Sequence, residues 1–483
     1  MKAFKCNEST LAKTTKGVLR GYFFDGAYIF KGVHYAEAER YMPPTPVEPW
    51  EGVKDALSYG FVCPLMHQET PNGELMVPHA YWPQDEHCQN LNIWTTSLDH
   101  NAKKPVMVWL HGGGYSAGSS IEQLCYDGAA MATRGDVVVV TINHRLNILG
   151  YLDLAPFGEK YANSGNCGHA DMVAALAWVK ENIAAFGGMK VTDLCQIPAA
   201  DGLFQRGIVI SGCIEPGILA EGSGDGTAIV SAMLKELNTD DVSVLETIPY
   251  PQLVEAYEKV APSVQAAGGY VGQAPFVNDW YLGDPTIYGF RERTKNTPLM
   301  VGTVFGEFAF QPTGYNKYEM SEEEMEERVR AYFGDHAGKI TELFRAAYPG
   351  HKLIDATVLD YLFRRPSKRL IKQKAAFPQA PTYAYLFDFD FPVDNGKCAW
   401  HCSDLPFFFH NIDLVPVANV PGVSDKLQEQ MFEAIMNFAK TGNPEMSELP
   451  SWPASSEGDE AVMILGRDCC VKHNFDDELI DEI

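Results

Sequence analysis

The segment Pro105–Ser120, with the sequence PVMVWLHGGGYSAGSS, constrains the fold and chemistry of this chain more than any other. It begins with the apolar run Val106–Leu110, whose length and β-branched content predict a strand buried on both faces of a parallel sheet. The glycines of Gly112–Gly114 follow after one residue, and because they lack Cβ atoms, backbone N–H groups there can approach a ligand closely. The segment therefore predicts an oxyanion-binding loop at the end of a buried strand.

The net charge and the cysteine content limit the partners and the compartment. Lys and Arg total 38 against 63 Asp and Glu, a formal net charge of −25, so we expect neither nucleic acid nor anionic membranes as partners. No run of about 18 apolar residues occurs and the amino-terminal stretch has no apolar core, so we expect neither a membrane span nor a signal peptide. The 11 cysteines, an odd number, indicate reduced thiols and a cytoplasmic protein.

Strand and helix patterns alternate along the chain. Val137–Thr141 is a second buried strand by length and composition, and Met172–Phe186 has apolar residues at helical spacing before two glycines. Further strands are predicted at Gly207–Ser211, Pro298–Val304 and Tyr383–Phe387, and further helices at Thr227–Leu237, Ser321–Tyr332 and Ser424–Lys440. This order predicts an α/β fold with a mostly parallel, twisted sheet, helices on both faces, and the glycine loop at the carboxyl ends of the strands. The acidic tail NFDDELIDEI is expected to be a solvated end.

Ordered motifs along almost the whole chain resemble the type B carboxylesterase/lipase family, the cholinesterase-like branch of the α/β-hydrolases. The matching stretches are FKGVHYAEAERYMPPTPVEPW, CQNLNIW, the HGGG loop, NHRLNILGYL, GNCGHADMVAALAWVKENIAAFGG, GEFAF, AWHCSDLPFFF and FAKTGNPEMSELPSWP. The resemblance implies one large α/β-hydrolase domain over residues 1–483, with an N-terminal ribbon over 1–60 and helical insertions over 215–380 above the site. It also implies acyl transfer from small carboxylic esters to a serine, and we expect no cofactor and no metal.

One part of the family pattern is missing. In the family, a strand, a nucleophile elbow of the form G-x-S-x-G and a helix follow the stretch that here ends at Gly188. In this chain Gly188 is joined directly to Met189 and to what resembles that helix, so roughly fifteen residues of the strand–turn–helix unit are absent. We find no nucleophile elbow, and we expect one central strand and the nucleophilic serine to be missing with it.

The resemblance places the other catalytic residues one by one. Gly113 and Gly114 match the oxyanion-loop positions, whose N–H groups would face a developing alkoxide. His401 matches the general base and acid, and Glu307 matches the acidic residue that orients the imidazole. Without the resemblance, a solvated loop carboxylate is the simpler interpretation of Glu307.

Nearby cysteines allow two further interpretations. Cys398 and Cys402 flank His401 and suggest zinc, but no second ligand pair at metal spacing accompanies them. Cys63 and Cys88 match a disulfide position of secreted family members, and in a reducing compartment we expect them to be free.

Several residues could in principle replace the missing serine. The candidates are Ser116, Ser119, Ser211, Cys195 and Cys213. None of the serines is expected to lie on the strained turn that an elbow provides, and cysteines on apolar faces are commonly inert structural thiols.

The sequence leaves three functions open. The first is an ester hydrolase with absent or very weak activity, the second a non-catalytic relative that serves as a binding protein, and the third a truncated, poorly folding gene product. The retained HGGG loop, Glu307 and His401 favour the first, because a binding protein has no physical need for an aligned acid and base.

Overall fold

The computed structural model describes residues 4–66, 79–183, 191–214 and 224–483, so the junction of Gly188 and Met189 lies outside the described residues. The strands are β1 Phe4–Lys5, β2 Leu11–Lys13, β3 Val18–Arg20, β4 Tyr22–Phe24, β5 Ala27–His34, β6 Ala36–Glu37, β7 Thr45–Pro46, β8 Val53–Asp55, β9 Asn90–Thr95, β10 Val106–Leu110, β11 Val138–Ile142, β12 Gly207–Ile210, β13 Leu299–Val304, β14 Thr382–Asp388, β15 Ala461–Gly466 and β16 Cys470–His473. The α-helices are α1 Ala129–Gly135, α2 Asn147–Tyr151, α3 Cys167–Asn182, α4 Val191–Cys195, α5 Thr227–Glu236, α6 Val244–Thr247, α7 Tyr250–Ala266, α8 Pro285–Tyr288, α9 Glu292–Lys295, α10 Glu322–Phe333, α11 Ala337–Ala347, α12 Arg364–Ala375, α13 Leu405–Phe408, α14 Ser424–Thr441 and α15 Asp477–Glu482. None of the helices in these ranges is long and apolar enough to cross a membrane.

Most strands belong to two large sheets. One has the order β1-β4-β5-β9-β11-β10 and the other the order β12-β13-β14-β15-β16. β10 pairs in parallel with β11, with Val106 opposite Val138. The prediction that these two strands are neighbours in the sheet is therefore confirmed. In the second sheet, β12, β13, β14 and β15 are all parallel.

The central strands are buried along their whole length. Every residue of β10, β11 and β13 is buried, as their continuous apolar runs predicted. The predicted helices and strands exist, with ends that move by a few residues. The predicted capping box is also present, because the Ser321 hydroxyl accepts the Glu324 N–H and the Glu324 side chain accepts the Ser321 N–H.

A gap separates the two sheets. β10 is the last strand of the six-stranded sheet and β12 is the first strand of the five-stranded sheet, and the two are not paired with each other. Met107 and Trp109 of β10 share a narrow apolar cleft with Ile208 and Ile210 of β12. In chain order the expected missing strand falls just before β12, so the gap lies where the sequence predicts a strand to be absent.

The acidic tail is not a solvated end, so that expectation was wrong. It forms α15, in which Leu479 and Ile480 are buried. The preceding Asp476 is buried as well, and it accepts hydrogen bonds from Arg364 Nε at 2.9 Å and from Lys368 Nζ at 2.6 Å. These cations come from α12, more than a hundred residues earlier. The sequence of the tail alone therefore could not predict these ion pairs.

This ion-pair cluster gives a stability prediction. We expect Asp476→Ala to lower the free energy of unfolding by about 3–5 kcal/mol, because it leaves buried cations short of a partner. Asp459→Ala is the matched control, since Asp459 pairs with His473 on the exposed surface and should cost about 1 kcal/mol or less. Urea unfolding of both variants tests this, and equal costs would contradict it.

Candidate active site

The glycine loop after β10 has the backbone geometry that its sequence predicts. Gly113 and Gly114 have φ values of +89° and +61°, and a Cβ on Gly113 would lie 2.3 Å from the carbonyl oxygen of Ala117. The loop is fixed by the Asn147 N–H, which donates to the Tyr115 carbonyl at 2.7 Å. Both glycines are exposed, and no backbone carbonyl in the described part of the chain accepts their N–H groups. These groups can therefore donate to an anionic oxygen of a ligand.

Glu307 and His401 meet as expected. Glu307 follows β13 and is fully buried, so the interpretation of it as a solvated loop carboxylate was wrong. His401 Nδ1 lies 2.5 Å from Glu307 Oε2. The backbone N–H of His401 also donates to the backbone carbonyl of Glu307 at 3.0 Å. Because a carboxylate only accepts, Nδ1 carries the proton, and in the neutral ring Nε2 is the basic nitrogen.

The His401 ring lies between aromatic side chains and stays partly exposed. Phe363 stacks on it with ring centroids 5.3 Å apart, and the His401 side chain is 24% exposed. Burial favours the neutral ring, but the neighbouring Cys402 and the Glu307 carboxylate together raise the pKa of His401 well above its usual value. A base at this position therefore becomes neutral only at a higher pH than an ordinary histidine.

Ser211 occupies an unexpected position. It directly follows β12 with φ +45°, so it does lie on a strained turn, contrary to the sequence-based expectation. Its hydroxyl donates to Glu307 Oε1 at 2.6 Å, and the Val304 N–H donates to the same oxygen at 3.1 Å. Ser211 thus bonds the carboxylate that holds His401, not the imidazole itself. It is suited to position the acid, and only its place at a strand end indicated this in the sequence.

The letters G-x-S-x-G do occur once in the chain, at Gly114–Gly118, GYSAG. This match is not an elbow, because it lies inside the glycine loop instead of between a strand and a helix. Ser116 at its centre is exposed, its N–H donates to the Gly113 carbonyl at 3.3 Å, and no hydrogen bond joins it to His401. Ser116 therefore does not occupy a nucleophile elbow, although the letters around it match the motif.

Sequence analysis missed two further carboxyl groups near Glu307, those of Asp360 and Asp404. Burial and the charge of Glu307 raise the pKa of both Asp360 and Asp404 to about 7. Asp404 accepts the Tyr385 hydroxyl at 2.9 Å through Oδ2, while its Oδ1 has no partner among the described residues. Both groups bind a proton near neutral pH more readily than ordinary aspartates, which limits the negative charge beside Glu307.

Sequence analysis also missed Asp193, a buried carboxylate that anchors the glycine loop. Asp193 of α4 is buried, and its Oδ2 accepts the Tyr115 hydroxyl at 2.8 Å and lies 3.1 Å from His169 Nε2. Its Oδ1 accepts the Tyr281 hydroxyl at 3.0 Å. Burial alone would raise the pKa of Asp193, but His169 and the two hydroxyls outweigh burial and lower it. The network ties Tyr115 of the loop to α3 and α4.

The cysteines near His401 do not form a metal site with it. Cys398 lies instead beside His351 and Asp355, and Lys317 Nζ is 3.5 Å from its sulfur and 3.0 Å from Asp355 Oδ2. The lysine ammonium group supplies the positive charge that a metal would bring. Each of the 11 cysteines is a free thiol, which includes Cys63 and Cys88.

The chain is similar to known proteins along almost its whole length. A family model described as the carboxylesterase family matches residues 8–481. The chain belongs to the carboxylesterase family. It is 29% identical to para-nitrobenzyl esterase of Bacillus subtilis (strain 168), over 97% of each chain. It is 30% identical to phenmedipham hydrolase of Pseudarthrobacter oxydans, over 94% of this chain and 95% of that protein.

Solved structures of carboxylesterases confirm the fold. An esterase from anaerobic Clostridium hathewayi, described as able to hydrolyse aliphatic aromatic polyesters, superposes with a TM-score of 0.97 at 50% identity. The match covers 100% of this chain and 99% of that one. A para-nitrobenzyl esterase structure superposes with a TM-score of 0.75 at 27% identity, over 98% of this chain and 99% of that one. The predicted α/β-hydrolase fold is therefore confirmed.

The Ser211 contact gives a second prediction. We expect Ser211→Ala to lower the free energy of unfolding by about 1–3 kcal/mol, because Glu307 Oε1 then loses a buried donor. Ser403→Ala is the matched control, since the buried Ser403 hydroxyl has no partner among the described residues and its removal should cost little. Urea unfolding measures both, and a cost for Ser211→Ala no larger than that of the control would contradict the role.

The Asp404 carboxyl gives a third prediction, on pH. Its folded pKa of about 7 lies above the usual 3.8, so the unfolded chain loses this proton first as pH rises. This group therefore lowers stability progressively from about pH 4 to pH 7, by about 1.4 kcal/mol per pH unit at most. Asp404→Asn removes that titration, so the variant should gain stability relative to the parent across this range in urea unfolding. Parallel pH profiles for the two proteins would refute the assignment.

Proposed function

We propose that this carboxylesterase-family protein binds small carboxylic esters and hydrolyses them very slowly or not at all, because no serine nucleophile faces its base. The observation that carries the proposal is the arrangement at Glu307. One carboxylate oxygen holds His401 Nδ1 at 2.5 Å, and the other accepts the Ser211 hydroxyl at 2.6 Å. The acid and base of an ester hydrolase are thus aligned, but the serine in contact with them bonds the acid.

The candidate substitute nucleophiles fit the role poorly. A nucleophile must bond the base directly, and no described serine hydroxyl bonds His401. Burial raises the pKa of Cys195 to about 12 and also raises that of Cys213, so neither provides a thiolate near neutral pH. Loss of the serine alone costs about 10⁶ in kcat in a well-characterised serine hydrolase.

Residual chemistry would use water. With Nδ1 held by Glu307, the neutral His401 ring can take a proton from water through Nε2 as the water attacks the ester carbonyl. Gly113 and Gly114 would donate to the alkoxide that forms. As the tetrahedral intermediate collapses, the leaving oxygen would take the proton from His401 Nε2 and depart as the alcohol. Binding and oxyanion donors without a nucleophile leave about 10³–10⁴ over the uncatalysed rate. The raised pKa of His401 means that this turnover should increase with pH above neutrality.

The substrate class and the setting are part of the proposal. The similarity to para-nitrobenzyl esterase and to the polyester-hydrolysing esterase supports carboxylic esters as ligands. The free thiols support a reducing compartment such as the cytoplasm. The acidic surface argues against nucleic acid and anionic membranes as partners.

The fourth prediction concerns labelling and kinetics. A fluorophosphonate should not label this protein stoichiometrically, and a chromogenic short-chain ester should show no burst, because both require a serine activated by His401. Any slow turnover should rise with pH and disappear in His401→Gln. Ser116→Ala and Ser211→Ala identify the site if labelling does occur, and stoichiometric labelling lost in either variant would overturn the proposal.

Insertion of the missing strand and elbow distinguishes a weak ester hydrolase from a binding protein. A family-type strand with a G-x-S-x-G elbow, inserted between Gly188 and Met189, should restore burst kinetics because the acid, base and oxyanion loop are in place. The same insertion with alanine in place of the serine is the matched control and should give none. If the serine insertion folds but stays inactive, the retained residues no longer act as a catalytic site, and the binding-protein function is favoured.

A further inference from the structure

A cavity of about 720 Å³ opens at the amino ends of the central strands. Pro105, which directly precedes β10, and Arg206, which directly precedes β12, both line it. The glycine loop and Glu307 instead follow the carboxyl ends of β10 and β13, and the five residues of β10 span about 15 Å. The cavity is therefore separate from the candidate active site, and its volume is typical of sites for small molecules.

The inner wall of the cavity is apolar. Separate elements contribute one buried side chain each, namely Leu19 of β3, Phe30 of β5, Ile93 of β9, Val138 of β11 and Trp178 of α3. Thr95 is a buried polar residue of the same wall, but its hydroxyl already donates to the Ser97 carbonyl at 3.0 Å. The inner part of the cavity therefore favours an apolar group.

The mouth of the cavity is basic, although the whole chain is acidic. The charged lining residues that the structure describes are Lys13, Lys103, Lys104, Lys180, Arg206 and Lys440, with Asp99 and Glu181. Lys104 forms an ion pair with Asp136. The exposed lysines at positions 13, 103, 180 and 440 form no ion pair with any carboxylate in the described ranges. These ammonium groups can therefore pair with an anionic group of a ligand.

Hydrogen bonds between distant segments fix the walls of the cavity. The Thr15 N–H, in the turn between β2 and β3, donates to Asn182 Oδ1 at the end of α3 at 2.9 Å. Arg206 Nη1, just before β12, donates to the Ala439 carbonyl of α14 at 3.1 Å. The lining elements are thus tied to one another without a ligand, as in binding sites that are largely formed in advance.

The distribution of charge selects the shape of the occupant. The formal net charge of −25 repels polyanions from the surface as a whole, whereas a single anionic group responds mainly to cations within about 10 Å at 0.1 M salt. The buried inner wall has no charged residue in the described part of the chain. The charge of a ligand therefore stays at the mouth while an apolar tail extends inwards.

We propose that this cavity binds an alkyl carboxylate, with the carboxylate among the lysines of the mouth and the alkyl chain against the apolar inner wall. The lysines at the mouth supply charge-assisted hydrogen bonds to the carboxylate oxygens. Burial of the chain supplies the remaining affinity. This binding needs no ester hydrolysis, so it is independent of the function proposed above.

Calorimetric titration of the full chain with alkyl carboxylates, each below the concentration at which it forms micelles, tests the chemistry of the ligand. Decanoate should bind about tenfold more tightly than octanoate, because each buried methylene group contributes about fourfold. Raising the salt concentration to about 0.2 M should weaken decanoate binding severalfold. Acetate that binds as tightly as decanoate would show a site for anions only, and decylammonium that binds as tightly would show a site for any alkyl chain. Either result would overturn the proposal.

Charge variants test where the carboxylate lies. Lys13 and Lys440 come from opposite ends of the chain but line the same mouth, and both are exposed. Lys13→Gln and Lys440→Gln should each weaken decanoate severalfold at low salt, and the double variant should weaken it further. Lys339→Gln, an equally exposed change outside the cavity, is the matched control and should leave the affinity unchanged. Equal affinities in all of these variants would refute the assignment to this mouth.

His401→Gln separates this cavity from the candidate active site. Because the two lie at opposite ends of the central strands, decanoate should bind this variant as tightly as it binds the parent protein. Loss of decanoate binding in His401→Gln would place the ligand in the candidate active site and overturn the proposal. Failure of the protein to hydrolyse esters would leave decanoate binding unchanged.

Discussion

The buried Glu307 carboxylate is the interaction on which the site depends. It receives the Ser211 hydroxyl from the end of β12, the Val304 N–H from the end of β13 and the imidazole of His401, which follows β14. One side chain thus joins the ends of two adjacent parallel strands, β12 and β13, to the segment that follows β14. Because an unpaired buried carboxylate is costly, these donors and Glu307 stabilise one another, and the position of His401 depends on the sheet itself.

The gap between β10 and β12 separates the residues of the site into two groups, one on each sheet. The glycine loop follows a strand of the six-stranded sheet, whereas Ser211, Glu307 and His401 follow strands of the five-stranded one. Aromatic packing bridges the gap, since the Trp109 ring of β10 lies 5.0 Å from that of Phe409, just after α13. The two halves are therefore held together by side chains where a strand ladder would otherwise connect them.

Local sequence patterns predicted the features that depend on near neighbours. The buried runs of β10 and β11, the capping box at Ser321 and the flexible glycines of the loop all follow from short stretches. Contacts between distant segments could not be read in this way. Asp476 finds Arg364 only in the folded chain, and Asp404 acquires its raised pKa only because Glu307 is folded against it. Ser211 shows the same limit, because its partner lies 96 positions away.

The contact between Glu307 and His401 does not depend on the gap between the two sheets. Within the described residues, the donors to the Glu307 side chain come from the ends of β12 and β13 and from the segment that follows β14. None of these donors lies on the edge of β12 that faces the gap, so the hydrogen bonds of the carboxylate do not need a further strand there. Glu307 and His401 are consequently positioned by the five-stranded sheet and the segments that follow its strands.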